Sequence, residues 1–112
     1  MATEFIESMP VAQAVNAHEL VTHQAGAVVS RTVLKKATGN VTLFAFAAGE
    51  GLSEHTAPFD ALVYVLEGEV DITIAGKLVA ASAGQLVVMP ANQPHALKAG
   101  ADLKMMLVMI RS

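Results

Sequence analysis

The sequence predicts an all-β protein in which short antiparallel strands form a sandwich or a barrel. Short apolar runs rich in β-branched residues recur about every 8–12 residues with glycine-containing turns between them, and no helix-period segment of useful length interrupts them. A chain of 112 residues is long enough to bury one core of its own. We therefore predict a single domain over residues 1–112, with an N-terminal arm over 1–20 and the barrel core over 41–110.

The N-terminal arm carries the one helical pattern. Pro10 is of a type common at the first position of a helix, and Val11, Ala14 and Val15 would then share one side of a short helix ending at Leu20. We expect any helix to be confined to this arm.

The strand pattern begins at residue 28. Residues 28–34 are β-branched and partly alternating, residues 38–40 have turn chemistry, and residues 41–47 form the next apolar run. Phe44 and Phe46 share one face of this second strand, because successive side chains of a strand point to opposite sides.

The rest of the chain also has the patterns of strands and turns. Residues 62–66 form a continuous apolar run, as expected of a buried strand, whereas residues 70–74 alternate apolar and polar, as expected of a strand with one face in solvent. Residues 75–77 predict a tight hairpin turn. Further strands are predicted over residues 78–81, 86–89, 95–99 and 103–110.

Two glycine-bounded stretches resemble a known pair of motifs. The first leads from Gly49 through His55 to Gly68, and the second leads from Gly84 to His95. This pair resembles the cupin superfamily, whose first motif is G-x5-H-x-H-x3-E-x6-G and whose second is G-x5-P-x-G-x2-H-x3-N. The resemblance implies a cupin-type antiparallel jelly-roll β-barrel.

Four positions depart from those motifs. Ala57 stands where the family has its second histidine, Ala61 replaces the glutamate, Asn92 the glycine and Ala99 the final asparagine. Of the family's four usual metal ligands, only the two histidines remain. The resemblance is therefore specific for fold and weak for activity.

The two remaining histidines define the candidate site. In a small barrel alternate side chains point inward, so His55 and His95 are expected to meet across the lumen. Imidazole suits zinc, iron, nickel or copper, but a catalytic zinc site normally has three protein ligands. A divalent metal, whether zinc, nickel, iron or manganese, would therefore be held weakly. Asp60, one residue from the family's glutamate position, is a candidate third ligand. His18 and His23 are more simply explained as hydrogen-bonded rim residues.

Several apolar residues are candidates for the wall of a ligand pocket, although core packing is the simpler explanation for most of them. They are Phe44, Phe46, Val63, Val65, Met89 and the cluster Met105, Met106 and Met109, for which a flexible methionine surface between subunits is a further alternative. By alternation from His95, Leu97 and Ala99 are expected to point inward.

Composition excludes several classes of protein. The absence of cysteine removes disulfides, thiolate metal sites and cysteine nucleophiles, and a net charge of −3 without a basic stripe argues against nucleic acid. No apolar run approaches the ~20 residues of a membrane span, and the N-terminus is acidic, so a cytoplasmic protein without a membrane partner is expected. A hydrophobic share of 54% against 15% charged residues predicts self-association, most simply as a homodimer.

Three functions stay open at this point. The first, which we favour, is a barrel that binds a small molecule in its lumen, with or without a weakly held divalent metal. The second is a metal-dependent enzyme, by family analogy a dioxygenase or a sugar-type isomerase. The third is a non-catalytic barrel that works through association with a partner.

Overall fold

The structure, a computed structural model, describes residues 9–112 and contains nine β-strands after one short 3-10 helix over Ala17–Glu19. The strands are β1 (Val28–Lys36), β2 (Gly39–Phe46), β3 (Gly51–His55), β4 (Asp60–Glu67), β5 (Glu69–Ile74), β6 (Lys77–Ser82), β7 (Leu86–Met89), β8 (His95–Ala99) and β9 (Leu103–Ile110). None of the described helices is long and apolar enough to cross a membrane.

The strands form two antiparallel sheets. The five-stranded sheet has the order β1-β2-β9-β4-β7 and the four-stranded sheet the order β3-β8-β5-β6. Most strands pair with a strand distant in sequence, as in a jelly roll, where the chain alternates between the two sheets. The predicted all-β class and jelly-roll architecture are confirmed.

The main core lies between the sheets. Strands β2, β4, β5, β7, β8 and β9 contribute alternate residues to it, which reproduces the alternation seen in the sequence. Its most buried members are Phe46, Val63, Val65, Val70, Ile72, Leu103 and Met105.

A second, smaller core covers the outer face of β2. Leu43 and Ala45 point away from the main core, yet both are buried together with Val21. The segment around the 3-10 helix supplies the cover, since Ala17 and Leu20 pack on the same cluster. Strand β2 is therefore buried on both faces.

Polar contacts fasten this covering segment to the sheet. Lys104 of β9 donates a hydrogen bond from Nζ to the carbonyl oxygen of His18 at 2.6 Å, and Arg31 of β1 donates from Nη1 to that of Leu20 at 3.3 Å. His23 Nε2 lies 3.0 Å from Glu67 Oε1 at the end of β4. The rim role expected for His23 agrees with this contact.

The helix suggested for residues 11–20 is reduced to three residues, Ala17–Glu19. Val11 and Val15, which would have formed its apolar side, are 56% and 43% exposed, so no buried surface favours a longer helix. Ala12 moreover has a φ of 59°, which a right-handed helix excludes. The first eight residues of the predicted arm lie outside the described part of the chain.

A glycine lies in or next to each of the two predicted hairpin turns. The turn predicted at residues 75–77 is a two-residue turn with positive φ at Ala75 (48°) and Gly76 (83°), as a tight hairpin requires. The turn predicted at residues 38–40 lies one residue earlier, and Gly39 already belongs to β2. A Cβ at Gly39 would lie 2.1 Å from the carbonyl oxygen of Met109, so this glycine permits close strand pairing.

Candidate functional site

The two predicted histidines meet in the structure. His55 ends β3 and His95 begins β8, and the two residues are paired in the antiparallel register of the four-stranded sheet. Their ring centroids are 4.3 Å apart, with 67° between the ring planes. They meet as neighbours on adjacent strands, not across the barrel as expected from the sequence, because both motif strands belong to the same sheet.

Backbone carbonyls fix the orientation of both rings. Nδ1 of His55 lies 2.8 Å from the carbonyl oxygen of Ser53, and Nδ1 of His95 lies 3.1 Å from that of Gln93. A carbonyl oxygen can only accept, so each Nδ1 carries the proton and each neutral ring keeps a free lone pair on Nε2. Histidines that bind metals commonly have this arrangement.

The two rings differ in their access to solvent. His95 is only 7% exposed, whereas His55 is exposed. The pair therefore reaches from the interior to the surface, and the site has one open side at His55.

A small cavity of about 30 Å³ lies beside the rings. A single water needs a cavity of roughly 10–15 Å³, and pockets for drug-sized molecules have about 300–1,000 Å³. The cavity thus accommodates an ion or one or two waters. Its lining consists of Leu52, His55, Ala57, Phe59, Ala61, Met89, His95, Leu97, Leu107 and Met109.

The five-stranded sheet supplies a wall that contains two thioethers. Ala61 of β4 is paired with Met89 of β7 on one side and with Met109 of β9 on the other, so the three residues form one row. All three line the cavity together with the two histidines. Because the middle residue is only an alanine, no large side chain separates the two methionines.

The loops of the two motifs are tied to each other beside this wall. The backbone N–H of Asn92 donates to the carbonyl oxygen of Ala57 at 2.8 Å, and the N–H of Ala91 donates to Asp60 Oδ1 at 2.9 Å. Asn92 has a φ of 63°, a left-handed conformation that asparagine tolerates better than most residues. Asparagine therefore fits where the resembling family has glycine.

The structure does not bring Asp60 to the cavity. Its side chain is directed to the Ala91 N–H, the residue is exposed, and it is absent from the cavity lining. Among residues 9–112 no group of three or more histidine, cysteine, aspartate or glutamate side chains is placed to hold a metal ion.

Of the predicted wall residues, Met89 and Met109 line the cavity. Phe46, Val63 and Val65 are fully buried in the main core, and Phe44 packs on the same core with its ring centroid 5.6 Å from that of Phe46. Leu97, expected on the inner face from its alternation with His95, also lines the cavity, whereas Leu52, Leu107 and Phe59 were not predicted there. Nothing local marks Phe59, whose ring lies 5.2 Å below the guanidinium of Arg111.

A second concave surface lies outside the barrel. It is an apolar groove of about 470 Å³ between the β1-β2 hairpin and the end of β9. Its apolar residues include Leu34, Val41, Val108 and Ile110.

Comparisons with known proteins support the fold described above. The family model described as "Cupin domain" matches residues 42–111. The fold is similar to that of a conserved protein of unknown function from Streptococcus pyogenes, with 30% identity, a TM-score of 0.91 and coverage of 97% of this chain and 96% of that one.

Two further solved structures are similar. A cupin 2 conserved barrel domain protein from Leptotrichia buccalis has 38% identity and a TM-score of 0.80 over 84% of this chain and 46% of that one. A cupin superfamily protein from Desulfitobacterium hafniense, at 23% identity and a TM-score of 0.88, covers 97% of this chain and 100% of that one and shows the fold alone. A search of curated proteins found no match.

Proposed function

Because this chain belongs to the cupin family, whose two motifs carry inward-facing ligands, we propose that it binds a small ligand in its lumen through His55 and His95. The observation that carries the proposal is the pair of hydrogen bonds that the two Nδ1–H groups donate to backbone carbonyls. Each ring then keeps a lone pair on Nε2, and both rings line one cavity, so the ligand is a Lewis acid or a group that donates hydrogen bonds.

The size of the cavity limits the ligand. About 30 Å³ admits an ion or the tip of a longer molecule that enters beside the exposed His55. A larger organic ligand would require the walls to move apart.

The residues present do not fit tight binding of the family's divalent metal. Ala57 and Ala61 both line the cavity, so two of the four usual donors are missing from the wall itself. The absence of these two donors removes two metal bonds and the carboxylate charge that would offset a divalent cation. A dioxygenase or sugar-type isomerase reaction therefore lacks its ligand set, and we favour binding.

The binding proposal can be tested on the histidine ring signals of the 15N-labelled protein. When Zn²⁺ is added in small steps, the Nε2 signals of His55 and His95 should respond before those of His18 and His23, which serve as internal controls. His95→Ala should remove the early response, whereas His18→Ala should leave it. An equal response of all four rings would show that the lumen is not a binding site.

A second function, association between two copies, is favoured by a row of aliphatic residues on the outer face of the five-stranded sheet. Register pairs connect this row through every strand of the sheet: Leu34, Val41, Val108, Leu62 and Val88. Val88 and Ile110 at its margin are each 61% exposed. We propose that a twofold homodimer covers this face, since one patch then satisfies itself.

A further inference from the structure

We propose that the lumen ligand is monovalent copper, bound by the imidazoles of His55 and His95 and the thioethers of Met89 and Met109. This inference rests on the proposed function and names the ligand class of that same site. Three features support it: the chemical type of the donors around the cavity, their charge, and the space for one ion between them.

The donors around the cavity are of a soft chemical type. Apart from the two imidazoles and the two thioethers, the described side chains around the cavity are alanine, leucine and phenylalanine, which cannot bind a metal. Thioethers are soft ligands that select Cu(I), whereas carboxylates, carbonyls and water suit magnesium, calcium and manganese. The donor set therefore disfavours hard cations.

Charge also favours a monovalent ion. None of the described residues that line the cavity carries a carboxylate, so a bound cation keeps its full charge inside an apolar wall. The cost of moving an ion out of water grows with the square of its charge, so a monovalent ion loses only about a quarter as much hydration energy as a divalent ion of equal size. The missing carboxylate at Ala61 thus favours Cu(I) over Zn²⁺.

The two thioethers and the two imidazoles are also placed around a single cavity. Met89 and Met109 flank Ala61 in one register row, and the cavity between that row and the imidazoles has room for one ion. The Nδ1 hydrogen bonds hold the two rings in place. Methionine is unbranched and has three rotatable bonds, so each sulfur can adjust its position while the rings stay fixed.

Core packing alone is the alternative explanation for the methionines, and β9 provides a control for it. Met106 lies on the same strand as Met109 but faces the outer cluster around Leu43. A Met→Leu replacement keeps the volume and removes the sulfur, so it separates coordination from packing. The informative variants are Met89→Leu and Met109→Leu, and Met106→Leu is the matched control.

The experiment is an anaerobic titration of the metal-free full-length protein with Cu(I) in competition with a chromogenic Cu(I) chelator. We expect one Cu(I) per chain. Met89→Leu and Met109→Leu should each weaken Cu(I) binding about tenfold or more, about 1.4 kcal/mol, while Zn²⁺ binding changes less than about threefold. Met106→Leu should change neither. Circular dichroism of each variant shows that it is folded.

The outcomes separate this inference from the proposed function. If His55→Ala and His95→Ala weaken Cu(I) binding but both Met→Leu variants bind as the wild type does, the histidine site stands and the thioether site is wrong. If Zn²⁺ shifts the ring signals of the pair while Cu(I) does not bind, the copper assignment is wrong and the site again stands. If the histidine variants bind Cu(I) as tightly as the wild type, the copper assignment is wrong, and both are wrong if Zn²⁺ also leaves the ring signals of the pair unchanged.

A second measurement does not depend on affinity. In selenomethionine-labelled protein loaded with one Cu(I), X-ray absorption at the copper edge should contain scattering from a selenium neighbour. Met106→Leu should preserve this signal, and the Met89→Leu, Met109→Leu double variant should remove it. A copper shell without selenium would overturn the proposal.

Discussion

The backbone N–H of Asn92 donates a hydrogen bond to the carbonyl oxygen of Ala57 at 2.8 Å. This bond fixes the loop of the second motif against the position where the family's second histidine would stand. Since Ala57 and Ala61 both line the cavity, larger side chains at these positions would enter the space that the two imidazoles also line.

Ala57→His combined with Ala61→Glu should tighten Zn²⁺ binding on the order of 10²-fold, if each new bond contributes about 1.4 kcal/mol. The new carboxylate should also shift metal preference from Cu(I) toward Zn²⁺, because it adds a hard ligand and a negative charge. Calorimetric titration of the wild type, both single variants and the double variant measures the effect. Equal Zn²⁺ affinities would contradict the placement of these two alanines at a metal-accessible wall.

The left-handed conformation of Asn92 makes a distinct prediction for stability. Asn92→Ala should lower the free energy of unfolding by about 1 kcal/mol, because a left-handed backbone costs about 1–2 kcal/mol for most residues with a Cβ but less for asparagine. Asn92→Gly should leave it within about 0.5 kcal/mol, since glycine adopts this conformation freely. Urea unfolding is the measurement, and Gln93→Ala is the neighbouring control. Identical losses for the alanine and glycine variants would refute the conformational explanation.

The second, smaller core on the outer face of β2 should contribute to stability as a buried core does. Leu43→Ala should lower the free energy of unfolding by about 2–5 kcal/mol, the range seen for buried leucines. Leu78→Ala is the control, since Leu78 is 65% exposed on β6 and its loss should stay within about 0.5 kcal/mol. Urea unfolding distinguishes the two variants. A Leu43 effect as small as that of Leu78 would mean that the segment around residues 17–21 does not cover this face in solution.

The association proposal predicts a dimer of roughly 23 kDa, twice the chain mass of 11.7 kDa. Val88→Lys should yield monomers at micromolar concentration, because a charge would be buried in a self-complementary apolar patch. Leu78→Lys places the same charge on the other sheet and should leave the dimer intact. Sedimentation of the three proteins tests this. A monomeric wild type would end the proposal.

Most of the fold could be predicted from sequence because alternation, glycine turns and the motif spacing agree over residues 41–110. Strand β3 was not predicted, because Leu52 is its one large apolar residue. Its extended conformation is held instead by its pairing with β8. The N-terminal cover was also missed. Its residues lack a period of their own and are ordered by contacts with β2, β4 and β9, which no local pattern reveals.

The site could be predicted in part. Motif spacing located His55 and His95, and the alanines at positions 57 and 61 were recognised as missing donors. The thioether row depends on the register between β7, β4 and β9, which joins residues 89, 61 and 109 from distant parts of the chain. The carboxylate of Asp60 was assigned by its distance in sequence, whereas its side chain is used to bind the neighbouring loop.

The burial of β2 on both faces also determines which amide protons exchange last with solvent. The amides of Leu43 and Ala45 lie in a strand paired on both sides, with β1 and with β9, and neither face is open to water. Exchange at such positions requires opening on the scale of the whole fold, whereas amides of the exposed edge strand β7 exchange through local fluctuations. Deuterium uptake at Leu43 therefore reports the global stability of the barrel.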